Sequence, residues 1–210
     1  MDMFCYQCQE TVKNQGCTRR GVCGKPAEVS DLQDLLIYVL KGISLWGTRA
    51  RELDVTDAEA DQFIMESLFS TITNTNFDDD QFVEWIKQGL GLREGLKARF
   101  LTAYEAAKGE AFATELPDAA TWMPASWDKD LLLSKATAVG LKSDQAQGED
   151  VASLRHVLLF GLKGMAAYLD HAYILGARDD ELVAFLQEAL ATMLDDNVSV
   201  DDMVGIVLKC

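Results

Sequence analysis

Beyond Pro26, apolar residues recur at intervals of three and four, and no stretch alternates apolar and polar positions as a half-buried strand would. This periodicity predicts helices at roughly 30–53, 57–74, 79–107, 150–175, 179–193 and from 200 onward. Two pairs, Ser30 with Gln33 and Thr56 with Glu59, have the spacing of a capping box ahead of an apolar run. The pattern loosens between 108 and 149, where Pro117, Trp122, Pro124 and Trp127 fall, and only one short helix near 128–138 is expected there.

The apolar pattern also repeats. Shifting the chain by 122 positions aligns 35–87 with 157–209 without a gap, and 14 of the 53 pairs are identical. They include Leu36/Leu158, Leu40/Leu162, Lys41/Lys163, Gly42/Gly164, Leu53/Leu175, Asp57/Asp179, Phe63/Phe185, Glu66/Glu188 and Asp79/Asp201. A duplicated three-helix unit, each copy burying the same apolar stripe, accounts for this better than two unrelated amphipathic hairpins. The first copy's third helix runs from Asp79 to about Lys108. Its counterpart begins near Asp201 and the sequence ends at Cys210, so the second unit reads as truncated in its last helix.

With 210 residues and 49% apolar content the chain can bury a core without disulfides. A formal net charge of -15 disfavours phosphate backbones and anionic lipid, so neither a nucleic-acid nor a membrane partner is expected. The longest apolar run, "LLIYVLKGISLW", is interrupted by Lys41 and is too short to span a bilayer. Met1 to Arg20 contains no apolar secretory core, and a cytoplasmic, reducing location is expected. In such a compartment clustered cysteines serve metal or redox chemistry more often than disulfides.

Four of the five cysteines lie between positions 5 and 23, spaced C-x2-C-x8-C-x5-C as Cys5, Cys8, Cys17 and Cys23. Lys13, Arg19, Arg20 and Lys25 outnumber Asp2 and Glu10 in this segment, which favours the thiolate form. The two-residue gap lets two sulfurs reach one centre from a tight turn. The wider gaps carry Gly16 and Gly21, which permit close backbone approach to something larger than an ion. From the residues alone three readings stand, in this order: an iron–sulfur cluster, a structural zinc and a disulfide pair.

The other chemistry-bearing residues read more plainly. His156 and His171 lack a preceding Glu at i-3, so the di-iron signature is absent and both read as core or surface histidines. Cys210 reads as an inert helical thiol, Glu66 and Glu188 as a shared cap, salt bridge or solvated face, and "NFDDDQF" as a turn whose Asp caps the next helix. "GVCGKP" fails the phosphate-loop pattern because Pro26 stands where Ser or Thr is required. Phe4 and Tyr6, beside the first cysteines, read as water-excluding cover.

The residue order around the cysteines resembles the amino-terminal segment of the hybrid-cluster proteins, also called prismane proteins or hydroxylamine reductases. "FCYQCQET", "GCT", "GVCGKPAEV" and "LQDLLIYVLKGI" carry the resemblance, and "TITNTNFDDDQF", "LPDAATW" and "VLLFGLKGMAAYLDHA" extend it along the chain. It implies that Cys5, Cys8, Cys17 and Cys23 hold a [4Fe-4S] cluster, since the eight- and five-residue gaps match the branch with a cubane-type cluster. It further implies an electron relay from a redox donor protein to a hybrid iron–sulfur–oxygen cluster that reduces hydroxylamine or nitric oxide. That second cluster is expected only in the intact protein, because Cys210, His156 and His171 are too few to build it.

The fold expected is all-α: two repeated three-helix bundles preceded by an N-terminal iron–sulfur-binding loop. The expected divisions are 1–29 for the cysteine-rich segment, 30–108 for the first bundle, 109–149 for the connection and 150–210 for the second bundle. The alternative from a different class is a zinc-stabilised helical interaction module. No catalytic residue is assigned within the chain.

Overall fold

The computed structural model describes residues 3–73 and 76–210, the side chain of Gln145 apart. Met1, Asp2, Asn74 and Thr75 fall outside the described residues. With them go the start of the cysteine-rich segment, the last position of the helix expected at 57–74 and part of "TITNTNFDDDQF".

The protein is all-α. Seven helices follow one another: α1 (Ala27–Arg51), α2 (Ala58–Ser70), α3 (Asp79–Lys108), α4 (Lys129–Val139), α5 (Glu149–Ile174), α6 (Asp180–Thr192) and α7 (Val200–Lys209). Among the described residues the only extended pairing is an isolated antiparallel bridge between Cys5 and Cys17. No helix of the described residues is long and apolar enough to cross a membrane.

α1 is the central element. Leu32, Leu35, Leu36, Val39, Leu40, Ile43, Trp46 and Ala50 are fully buried on several of its faces, as expected of a helix surrounded by others. It packs against α2, α3, α4 and α6, while α5 packs against α2, α6 and α7. One continuous apolar core therefore runs through both copies of the repeat. The segment between the copies also joins this core. Ala119 and Ala120 are buried, and their carbonyls accept hydrogen bonds from Arg93 Nη1 (3.0 Å) and Trp46 Nε1 (3.0 Å).

Helix starts follow the capping chemistry, with shifts from the sequence expectation. α1 begins at Ala27 behind Pro26, and the proline's fixed φ of -66° sets its entry. Ser30 and Gln33 are consequently buried inside α1 rather than forming a cap. For α2 the cap is Asp57, one residue past Thr56, accepting from the amides of Glu59 and Ala60 (both 3.1 Å). Asp78 caps α3 through the amide of Gln81 (3.0 Å), as the acidic turn predicted. Ser199 likewise caps α7, through the amide of Asp202 (3.1 Å).

A buried ionic knot ties the two copies together. Asp61 of α2 is 2% exposed and accepts from Arg51 (2.6 Å), Arg178 (3.0 Å) and Gln187 Nε2 of α6 (2.6 Å).

Candidate metal centre

The cysteine loop lies against α5 and the end of α2. The Cys5–Cys17 bridge is closed by two backbone bonds, Cys5 N to Cys17 O (3.1 Å) and Cys17 N to Cys5 O (2.8 Å), which set those two ligand candidates side by side. The Thr11 amide donates to the Cys8 carbonyl (3.2 Å), closing the turn that carries Cys8. Between them Lys13 and Asn14 adopt left-handed φ values of 54° and 56°. Such a conformation costs about 1 kcal/mol at a residue such as Lys, so the surroundings must hold the turn. Gly16 sits so close to Phe4 that a Cβ would meet its ring, and a Cβ at Gly21 would come within 2.9 Å of Cys23 Sγ. At both positions an added Cβ would press on a side chain of the cysteine-rich segment, which glycine avoids.

All four thiols are free; Cys17 is buried, Cys5 and Cys8 half-buried and Cys23 exposed. Burial alone would raise the Cys17 thiol, but hydrogen bonds from the backbone amides of Val12 and Val22, the Thr11 hydroxyl and the charge of Lys25 outweigh it. The Cys17 thiol consequently lies below its ordinary value. Among the described residues, no three Cys, His, Asp or Glu side chains gather where one metal ion could sit.

The loop is pinned to the helical body by residues distant in sequence. Tyr6 meets His156 through a short hydrogen bond and stacks edge-on against Phe160, with ring centroids 5.3 Å apart. His156 Nε2 lies 3.1 Å from the Leu141 carbonyl and 3.3 Å from Asp144 Oδ2, both acceptors, so Nε2 carries the proton. With Nε2 protonated, a neutral ring presents Nδ1 as an acceptor to the Tyr6 hydroxyl. Burial, followed by the Asp144 charge, raises the Tyr6 phenol above its ordinary range and keeps it a donor. Asp144 itself is held below the usual carboxylate range. Burial opposes this, but the His156 hydrogen bond and the charges of Lys41 and Arg155 prevail.

Two ammonium groups are buried beneath the thiols. Lys163 is 4% exposed and Lys25 2% exposed. Each makes one side-chain hydrogen bond to a neutral amide: Lys163 Nζ to Gln7 Oε1 (3.0 Å) and Lys25 Nζ to Gln33 Oε1 (2.6 Å). Neither forms an ion pair within 4.0 Å among the described residues. A buried ammonium with one neutral acceptor is costly unless negative charge is close by. Asp34 supplies part of that charge to both, and the thiolates of the loop would add to it. In number, type and electrostatics the donor set therefore fits a thiolate-bound metal cluster.

The profile of the Prismane/CO dehydrogenase family matches residues 3–210. The chain belongs to this family. It is similar to proteins named hydroxylamine reductase from Petrotoga mobilis (49% identity over 209 residues), Halothermothrix orenii (49% over 210) and Desulfosudis oleivorans (51% over 207). These alignments take in 99–100% of the chain but 36–38% of each relative. This prismane-family chain thus spans a little over one-third of the length of the curated relatives it matches.

Within that family frame the structure sorts the residues singled out from sequence. Glu66 and Glu188 lie on helix surfaces; Glu66 accepts from Gln62 (2.7 Å) and Glu188 pairs with Lys209 (3.5 Å). His171 stands edge-on to Phe69. His156, read as a core or surface histidine, is buried, and its ring also meets Tyr6 of the cysteine loop. The roles of Lys163 and His156 toward the loop were missed, because 155 or so positions separate them from the thiols. The repeated "KG" at Lys41 and Lys163 singled out Lys163 alone, and no signal pointed toward His156.

Proposed function

We propose that this chain is the amino-terminal, electron-relaying portion of a hydroxylamine-reductase-type protein, with Cys5, Cys8, Cys17 and Cys23 holding a [4Fe-4S] cluster. The two buried, ion-pair-free ammonium groups under four free thiols carry this reading. When bound, such a cluster supplies a one-electron couple. The chain's own part is to offer the thiolates, to exclude water with Phe4 and Tyr6, and to place positive charge behind the loop. In the intact protein, a hybrid iron–sulfur–oxygen cluster in the remaining length would use the electrons to reduce hydroxylamine or nitric oxide. A redox donor protein and a cytoplasmic location belong to the same proposal.

Anaerobic purification tests it. The expected product is brown, contains iron and acid-labile sulfide, and bleaches on dithionite reduction. A colourless protein with about one zinc and no sulfide would replace this reading with that of a zinc-stabilised helical module.

A further inference from the structure

Gln7 lies between Cys5 and Cys8, and its side chain is held at both ends. Its Oε1 accepts from Lys163 Nζ (3.0 Å) and its Nε2 donates to the Thr71 carbonyl (3.2 Å). The ammonium of Lys163 is thereby fixed behind the stretch of backbone that presents the first two thiols. Asp34 of α1 supplies the largest opposing charge felt by Lys163, and its Oδ2 is engaged by the Leu141 amide (3.4 Å). Lys163 has no acceptor among the described residues other than Gln7, although an ammonium carries three donors.

We propose that Lys163 is a positioning residue that sets the reduction potential of the group held by Cys5, Cys8, Cys17 and Cys23, with Asp34 as its opposing charge. The inference rests on the iron–sulfur reading above. One-electron reduction by an external donor such as dithionite adds one negative charge to the thiolate-bound group. A fixed ammonium favours that state and a fixed carboxylate disfavours it. Burial disfavours both charges, and each is held against it by the other: the Asp34 charge holds Lys163 up and the Lys163 charge holds Asp34 down.

Anaerobically purified protein, titrated at pH 7 while its visible absorbance is followed, separates this role from a structural one. Lys163→Gln is expected to shift the reduction equilibrium about tenfold toward the oxidised form, which is about 59 mV lower for a one-electron couple. Lys163→Arg restores the wild-type value, and Asp34→Asn shifts it the opposite way. Iron and acid-labile sulfide are counted in every sample. An unchanged potential in fully loaded Lys163→Gln overturns the inference, as do shifts of the same sign in Lys163→Gln and Asp34→Asn. If Lys163→Gln does not load, Asp34→Asn decides: a raised potential supports the role and an unmoved one overturns it. Absence of sulfide from the wild type instead defeats the cluster reading, and the inference with it.

Discussion

The Tyr6 hydroxyl is hydrogen-bonded to Nδ1 of His156, a residue 150 positions further along the chain. That one contact couples the cysteine loop to α5 and, through Asp144 and Leu141, to the turn that precedes it. Tyr6→Phe keeps the ring against Phe160 but leaves His156 Nδ1 without its donor. The expected cost is about 1 kcal/mol, the usual net value of a hydrogen bond. Faster amide exchange confined to residues 3–24, with α1 and α3 unchanged, is the pattern to look for.

Asp61 should prove far more sensitive than its surface partner. Asp61→Ala leaves Arg51 and Gln187 facing a buried vacancy between α1, α2 and α6, and breaking such a pair from one side costs about 3–5 kcal/mol. Arg178 reaches Asp61 from solvent, with its side chain 37% exposed, so Arg178→Ala should cost about 1 kcal/mol or less. Thermal or denaturant melts of the two variants provide the comparison. Equal losses would mean that the knot does not act as a buried pair.

The helices and the thiol cluster were legible because they depend on local spacing. The apolar positions of α1 and the Asp78 cap of α3 follow from residues three or four apart. The start of α1 was misplaced by three residues because Pro26 fixes the backbone at the entry and overrides the Ser30–Gln33 spacing. What could not be read is long-range pairing. Nothing near Gln7 announces Lys163, and nothing near Tyr6 announces His156. Such partners are chosen by how α5 lies across α2, which is a property of the packed core.

The repeat makes a prediction that its sequence identity hides. Gly42 and Gly164 are equivalent, yet a Cβ at Gly42 would overlap the Ala119 carbonyl, whereas Gly164 has open space around it. Gly42→Ala must push the 118–120 turn off α1 and is expected to lose about 1–3 kcal/mol. Gly164→Ala should instead gain about 0.5–1 kcal/mol from helix propensity. Opposite changes in melting temperature are the expected outcome.

Asp31 supplies a pH dependence with a definite sign. It is 7% exposed near the start of α1, and burial, aided by the Glu28 charge, raises its carboxyl from 3.8 to about 6. The folded state therefore binds this proton more tightly than the unfolded chain. The stability it contributes is fully present below about 4 and lost as pH rises through about 6. Asp31→Asn cannot ionise, so the difference in stability between variant and wild type should grow across that window. Denaturant titrations at pH 4, 5, 6 and 7 measure it. A constant difference would mean that Asp31 is not strained by its burial.

Removing the metal should loosen the loop and spare the helices. The body has its own continuous core around α1, while residues 3–26 are held by the Cys5–Cys17 bridge, Tyr6, Gln7 and the proposed ligand bonds. Lys13, Arg19 and Arg20 are all exposed on that loop, so trypsin can report on it. Chelator treatment of the anaerobic protein is expected to speed cleavage after these three residues and leave the far-ultraviolet circular dichroism of the helices unchanged. Cys17→Ala should reproduce the effect without chelator, since it deletes the proposed buried ligand and leaves the Cys5–Cys17 backbone bonds in place. Full iron content in Cys17→Ala would remove Cys17 from the ligand set. Unchanged cleavage after complete metal loss would show that the helical contacts alone order the loop.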